Sequence, residues 1–331
     1  MNPLMLTRRT VAAAALGVVL PRIVRAQAST GAGEVFPSRP VRLVVPTPPG
    51  TALDIRGRQL AEKLSEEWQH NVFVDNRPGA SEKLALDFVA QAAPDGHTML
   101  LGGFGMVTVA HLTSLAYDPM KAFVAITKVS AGPQILLAHP GVPFNSIDEL
   151  VAYARANPRK LNVATGGVGN IQHLASALFG KAAGIAFTHV PYKGGAQLMT
   201  DLIGGEVQLT FNVASVALPH LKSGRIKALA VAAPSRLAVL PDVPTFTELG
   251  HPSVDVNGWM GIFVRAGTPG EIVAKMNKSV VSALNLPDVR QSIIETGGVV
   301  GGDSPEQFAA FVQSESAKWG KVIADAGIRL E

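Results

Sequence analysis

Short, apolar-rich runs alternate along this chain with stretches in which apolar residues return every three or four positions. VRLVV at 41–45 reads as a buried strand, and Leu53, Leu60, Leu64 and Trp68 then fall on one helical face. NVFVDN at 71–76 predicts a second strand, closed by Arg77-Pro78-Gly79. Leu84, Phe88 and Val89 mark a helix that ends before the turn Pro94-Asp95-Gly96. HTMLLGG at 97–103 predicts a third strand. Strands and helices in this alternation imply a parallel sheet.

A second series of the same kind begins near Pro133. QILLAHP (134–140) reads as a strand, Ser146-Ile147-Asp148-Glu149 as a capping box, and LNVAT (161–165) as a strand running into Gly166-Gly167-Val168-Gly169-Asn170. A helix follows from Ile171, then FTHVPYK, a helix near 196–203, and the strands VQLTFN (207–212) and IKALAVAA (226–233). The last part is predicted helical apart from WMGIFV (259–264), with helix starts at Thr268-Pro269-Gly270-Glu271 and Ser304-Pro305-Glu306-Gln307. Trp259 and Phe263 are read as core or hinge packing. The two series predict two similar α/β lobes, with the chain crossing between them more than once.

Length and composition agree with this. The 331 residues are 47% hydrophobic and 16% charged, enough for two α/β domains that each bury a core. Residues 1–28 stand apart. Arg8 and Arg9 precede VAAAALGVVL (11–20), and Val24-Arg25-Ala26 and Ala26-Gln27-Ala28 resemble small-residue cleavage sites. This pattern predicts a secretory signal peptide, cleaved after about Ala26 or Ala28. The arginine pair leaves both the twin-arginine and the general export route open. Arg8, Arg9, Arg22 and Arg25 lie in this leader, which has no acidic residue, so its removal takes the net charge from +4 to zero. The mature chain then has no basic surplus to suggest nucleic acid or a membrane surface as partner. No later apolar run is long enough to cross a membrane. The absence of cysteine removes disulfides, thiolate metal sites and a lipid-modified cysteine from consideration.

Two turns draw attention as binding elements. Pro46-Thr47-Pro48-Pro49-Gly50-Thr51 joins the first strand to the first long helix, and Thr165 to Asn170 has the same strand–glycine–helix form. The amides at a helix start carry the positive end of a dipole worth about half a charge, which suits an anion without any cationic side chain. Gly50 permits close backbone approach, and Thr51 with Asp54 suits a capping arrangement. The second turn is neither a dinucleotide fingerprint nor a P-loop. Pro49, Gly50, Thr51, Ala52 and Asp54 in one turn, and Thr165, Gly166, Gly167, Val168, Gly169 and Asn170 in the other, are the candidate ligand residues. His173 on the following helix and Asn212 at a strand end join them. Each turn taken alone is equally readable as a plain strand-to-helix connection; two together suggest a cleft around one small anion.

Signatures of catalysis are thin. The eight histidines show no metal-ligand spacing, and no nucleophile elbow is present. Asp54 reads as a turn stabiliser before a general base, and His173 as a packing group before a catalyst. No catalytic residue, metal or cofactor is expected.

Several segments then resemble one family: PSRPVRLVVPTPPGTALD, VDNRPGA, AAPDGHTMLLG, HVPYKGGAQLMTDLIGGEVQL, ALPHLKSGRIKALAVAAPSRLAVLPDVPTFTELG and GIFVRAGTPGEIVAKMN. In this order, and from about Phe36 to Leu330, the chain resembles the extracytoplasmic receptors of tripartite tricarboxylate transporters, the TctC or Bug proteins. The resemblance implies an α/β periplasmic binding protein of the second type, with two parallel or mixed sheets flanked by helices and joined by hinge crossovers near Gly132 and Gly258. It implies one lobe from 29–131 plus 258–331, a second from 132–257, and a ligand cleft between them. It implies a periplasmic, monomeric solute receptor that cradles a small organic carboxylate on backbone amides and waters and passes it to membrane permease subunits. A receptor feeding a sensor kinase would have the same fold and site. An exported enzyme acting on an organic acid is the third alternative, with Asp54 or His173 as its base.

The chain departs from the family pattern at Thr51, where a second glycine is usual, and at Ser81-Glu82-Lys83, where glycines usually continue the turn. It departs again at Val163 and Thr165, where the usual segment reads Asn-Tyr-Ala-Ser, and at Asn212, where Asp is common. The last change removes a negative charge and is read as favouring an anionic over an aminated ligand.

Overall fold

A computed structural model describes residues 36–192 and 195–330. The expected leader, 1–28, and the start of the first expected lobe lie outside the described residues. The chain opens with β1 (Val41–Val45), α1 (Ala52–Trp68), β2 (Val72–Asn76), α2 (Lys83–Ala90), β3 (Thr98–Gly102) and α3 (Phe104–Leu112). A short α4 (Pro119–Ala122) leads into β4 (Phe123–Ala138). Then come α5 (Ile147–Ala156), β5 (Asn162–Thr165), α6 (Ile171–Ala183), β6 (Thr188–Pro191), α7 (Gly195–Gly204), β7 (Leu209–Val213), α8 (Ala214–Lys222) and β8 (Lys227–Val231). β9 (Asn257–Arg265), α9 (Gly270–Asn285), α10 (Pro287–Ile294), β10 (Val299–Val300) and α11 (Pro305–Ala326) complete it.

The strands form two mixed sheets that share β4. In the first, β1 pairs parallel with β2 and β3, and β9 runs antiparallel between β3 and the early part of β4. In the second, the late part of β4 runs antiparallel to β7 and β8, and β5 pairs parallel with β6 and β7. β4 pairs with β9 from Phe123 to Pro133, with Gly132 opposite Gly258, and with β7 from Gln134 onward. Pro133 stands where the partner changes. A proline has no amide to give to a ladder, so this is a position where it does the sheet least harm.

The alternation of side chains explains the layers. β1 sends Leu43 and Val45 into one core with Leu60, Leu64, Met99 and Met276, and Val44 into another with Leu86, Leu100 and Phe104. A strand buried on both faces must be apolar throughout, as VRLVV nearly is. α1 buries Gly57, Leu60, Ala61, Leu64 and Trp68, the spacing of a single helical stripe. A third core, with Ile135, Leu137, Ala164, Leu198 and Leu202, lies on the second sheet. Among the described residues no helix is long and apolar enough to cross a membrane.

Four local expectations need revision. The strand expected at 134–140 is the second part of the sixteen-residue β4. β10 adds a short strand to the expected helical tail, pairing with Ser130 and Ala131. Ser146 caps α5, but Glu149 reaches back to the amide of Asn145 and not to that of Ser146. Thr268 does not cap α9, because its hydroxyl donates to the Arg265 carbonyl. At Ser304 and Gln307 the full reciprocal box forms.

Candidate functional site

The turn between β1 and α1 is built by side chains that fold back onto it. Thr51 is the N-cap of α1: its Oγ1 accepts from the Asp54 amide at 3.3 Å and donates to the Pro48 carbonyl at 3.0 Å. Asp54 is only 3% exposed. Its Oδ2 accepts from the Gly50 amide (2.8 Å) and Arg58 Nε (3.1 Å), its Oδ1 accepts from Asn76 Nδ2 (2.9 Å), and Arg58 Nη2 stands 2.9 Å from Oδ1 in ion-pair contact while donating to Asn76 Oδ1. Asn76, at the end of the neighbouring β2, also donates to the Thr47 carbonyl. Burial alone would raise the Asp54 pKa, but the hydrogen bonds from Arg58, Gly50 and Asn76 outweigh it and hold the group below the ordinary carboxylate range. Asp54 is therefore a brace for the turn, with both oxygens engaged and little basicity. That arrangement gives no support to the alternative in which it serves as a general base.

The turn between β5 and α6 has the same logic with other residues. Asn170 caps α6, its Oδ1 accepting from the His173 amide at 2.9 Å. Gln172 folds back so that Oε1 accepts from the Gly166 amide (3.1 Å) and from Asn170 Nδ2. His173 Nδ1 accepts from the Gly169 amide at 3.0 Å, which leaves the ring proton on Nε2. Burial first, then the neighbouring His189 ring at 4.4 Å, lowers the His173 pKa to about 4. The imidazole is neutral at ordinary pH and orients the turn. Thr165 is buried, and its carbonyl accepts from the Tyr192 amide at 2.8 Å.

This accounting separates the candidate amides into two sets. Those of Gly50, Gly166, Gly169 and Asn170 are engaged within their own turns. Those of Thr51, Ala52 and Leu53, and of Gly167, Val168, Ile171 and Gln172, find no acceptor among the described residues. Pro49 has no amide to offer and sits exposed on the rim. Each turn thus presents a short row of open donors at a helix start, where an anion is favoured.

The two turns belong to different sheets, and the β2–α2 turn links them. Ser81 Oγ donates to the Val168 carbonyl at 3.3 Å. Gly169 packs so closely on Leu112, at the end of α3, that any Cβ there would overlap the leucine side chain. Leu53, Gly103, Glu82 and the Trp259 carbonyl meet at the start of α3. Asn212 is not part of this meeting point: its Oδ1 accepts from the Val213 amide and its Nδ2 contacts Met199 Sδ at 3.8 Å. Among the described residues no cluster of three His, Asp or Glu side chains is arranged to hold a metal.

The model of the tripartite tricarboxylate transporter family receptor matches residues 57–328. This chain belongs to that family. A relative from a Pseudomonas strain, the UPF0065 protein of the tcbD-tcbE intergenic region, is 35% identical over 294 residues, covering 88% of both chains. Among solved structures, Rpa4515 of Rhodopseudomonas palustris, solved with adipate, superposes with a TM-score of 0.82 at 34% identity. The match covers 89% of this chain and 99% of that one. MatC from the same organism, solved with malate, gives a TM-score of 0.80 at 34% identity, over 87% of this chain and 100% of that one. The fold is thus the mixed α/β periplasmic binding protein of the TctC type.

Within this TctC receptor, three contributors to the turns were not among the expected site residues: Asn76, Arg58 and Gln172. Asn76 and Asp54 meet because β1 and β2 are parallel neighbours, and parallel strands end together. Arg58 lies four residues after Asp54, a helical ion-pair spacing visible in the sequence. Nothing in the sequence marks Gln172 as the group that satisfies Gly166.

Proposed function

We propose that this TctC-family solute-binding protein captures a small mono- or dicarboxylate in the periplasm and delivers it to the membrane permease of a tripartite tricarboxylate-type transporter. The observation that carries this reading is the pair of open amide rows, Thr51–Leu53 and Gly167–Val168 with Ile171 and Gln172, at helix starts on two sheets. Donors of this kind bind a carboxylate generically. Thr165, Asn170 and the braces Asp54 and His173 set the geometry, and Asn212 acts from further back. The adipate and malate found with two structural relatives support a carboxylate as the ligand class.

In this proposal the lobes are 29–131 with 258–331, and 132–257. The paired segments at Gly132 and Gly258 are the crossovers about which the lobes close. Closure excludes water and strengthens each amide–carboxylate hydrogen bond. The leader directs export and is cleaved after about Ala26 or Ala28. The test is thermal unfolding of residues 29–331 against mono-, di- and tricarboxylates, amino acids and aromatic acids. A ligand at about 100 times its Kd adds about 2.7 kcal/mol, which is about 4 °C for a protein of about 300 residues. A shift confined to carboxylates supports the proposal; no shift with any acid contradicts it.

A further inference from the structure

The turn after β2 adopts a backbone that its residues do not favour. Gly79, Ala80, Ser81 and Glu82 have φ of 130°, 47°, 50° and 76°. Three of these residues carry a Cβ, for which the left-handed region is unfavourable. The result of this conformation is the position of Glu82. Its side chain lies along the start of α3, where a Cβ on Gly105 would fall 2.5 Å from Glu82 Cδ. The α3 start has no side-chain cap of the usual kind, and the Glu82 carboxyl group lies against the backbone of Gly103 and Gly105 there.

That carboxyl group is not fully satisfied. Oε2 is buried and has no hydrogen-bond partner among the described residues. A buried polar atom without a partner is costly, and such atoms are rare unless a ligand or water completes them. Its surroundings are those of the candidate site. Ser81 next to it bonds across to Val168, and Gly103 above it touches Leu53 of the first turn.

We propose that Glu82 sets ligand selectivity: it disfavours a second carboxylate at the α3 end of the cleft and favours a monocarboxylate whose far end bears a hydrogen-bond donor such as a hydroxyl, amide or ammonium. The inference rests on the two turns being a carboxylate site. The start of α3 lies beside Leu53 of α1, and Ser81, next to Glu82, is tied to Val168 of the other turn, so a dicarboxylate held by the two turns would bring its second charge toward the α3 start. Glu82 already occupies that position with a charge of the same sign. Like charges a few ångströms apart in a water-poor site repel, whereas a donor satisfies Oε2. Burial raises the Glu82 pKa to about 7, against the pull of the Gly105 and Gly103 amides, so at pH 8 the group is mainly ionised.

The experiment compares matched pairs at pH 8 by calorimetry: succinate against its monoamide, and adipate against its monoamide. The wild-type protein is expected to bind at least one monoamide ten-fold or more tighter than its diacid. Glu82→Gln, which keeps an acceptor for the α3 amides and removes the charge, is expected to reduce that ratio ten-fold. Equal affinities within each pair for the wild type, or an unchanged ratio in the variant, overturn the inference and leave the carboxylate reading standing. Binding of none of the four compounds, together with no response to any acid in the wider panel, overturns both. The wild-type ratio is decisive even if the variant fails to fold.

Discussion

Asp54→Asn tests how the first turn is held. The substitution keeps the size of a side chain that is 3% exposed and changes which of its atoms can accept. In the native turn the two oxygens accept from Gly50, Asn76 and Arg58 Nε, and Arg58 Nη2 stands in ion-pair contact. An amide can still accept from Gly50, but its NH2 then faces the Asn76 and Arg58 donors. Loss of a hydrogen bond to a charged group costs about 1.5–3 kcal/mol. The Arg58 side chain is 55% exposed, so solvent screens the ion pair and only about 1 kcal/mol is assigned to it. The total of about 3 kcal/mol corresponds to a fall of about 5 °C in Tm for about 300 residues at about 2.1 cal/mol/K each. Because the Asp54 pKa lies below its ordinary 3.8, its stabilisation is present above that value and is lost as pH falls further. The gap in Tm between the wild type and variant should therefore be full at pH 7 and narrow at pH 3. Carboxylate affinity at pH 7 should fall ten-fold or more, since Thr51–Leu53 lose their orientation. A gap below 1 °C at pH 7, or one that does not change with pH, would refute this account of the turn.

Three further substitutions probe other parts of the site. Gly169→Ala places a Cβ against Leu112 at a residue whose φ is 73°, so small-angle scattering with ligand should show a more extended particle than wild type; equal compaction would contradict the packing. The low pKa of His173, about 4, makes the unfolded chain the better proton acceptor below 6.5, so stability should decline between pH 6.5 and 4. His173→Gln should lessen that decline, and a wild-type slope of Tm against pH in the variant would count against it. Glu82 is the opposite case. Its raised pKa gives stability that is full below 4.5 and lost as pH rises through about 7. Glu82→Gln should therefore gain in Tm relative to wild type between pH 5 and 8, and a constant difference across that range would show that Glu82 does not titrate there.

Elements with one clear period were legible in the sequence. VRLVV could only be a strand buried on both faces, and Leu60, Leu64 and Trp68 could only line one helix face. The strand–glycine–helix form also marked both turns as places with open amides. β4 was legible only in its second half, because proline normally interrupts a strand and Pro133 here stands at the change of partner. Which amides remain open was not legible either. It depends on Asp54, Gln172 and His173 folding back onto Gly50, Gly166 and Gly169, and no propensity encodes that choice. Ser81 and Glu82 stood out as departures from a glycine-rich family pattern, but residue types that disfavour the left-handed region do not announce the left-handed backbone they adopt. Asn212 was expected near the ligand because it ends a strand; the contact of its side chain with Met199 was not legible in the sequence.

The central claim is that main-chain amides of two turns hold the carboxylate. The most direct measurement is a titration of 15N-labelled protein, residues 29–331, with a carboxylate that shifts its Tm, followed by amide resonances. Thr51, Ala52 and Leu53 should move together with Gly167, Val168, Ile171 and Gln172, at one common affinity, and Gly50 and Gly166 should move less. Saturable binding that leaves one of these two rows unmoved, with the largest shifts elsewhere in the chain, would contradict the claim.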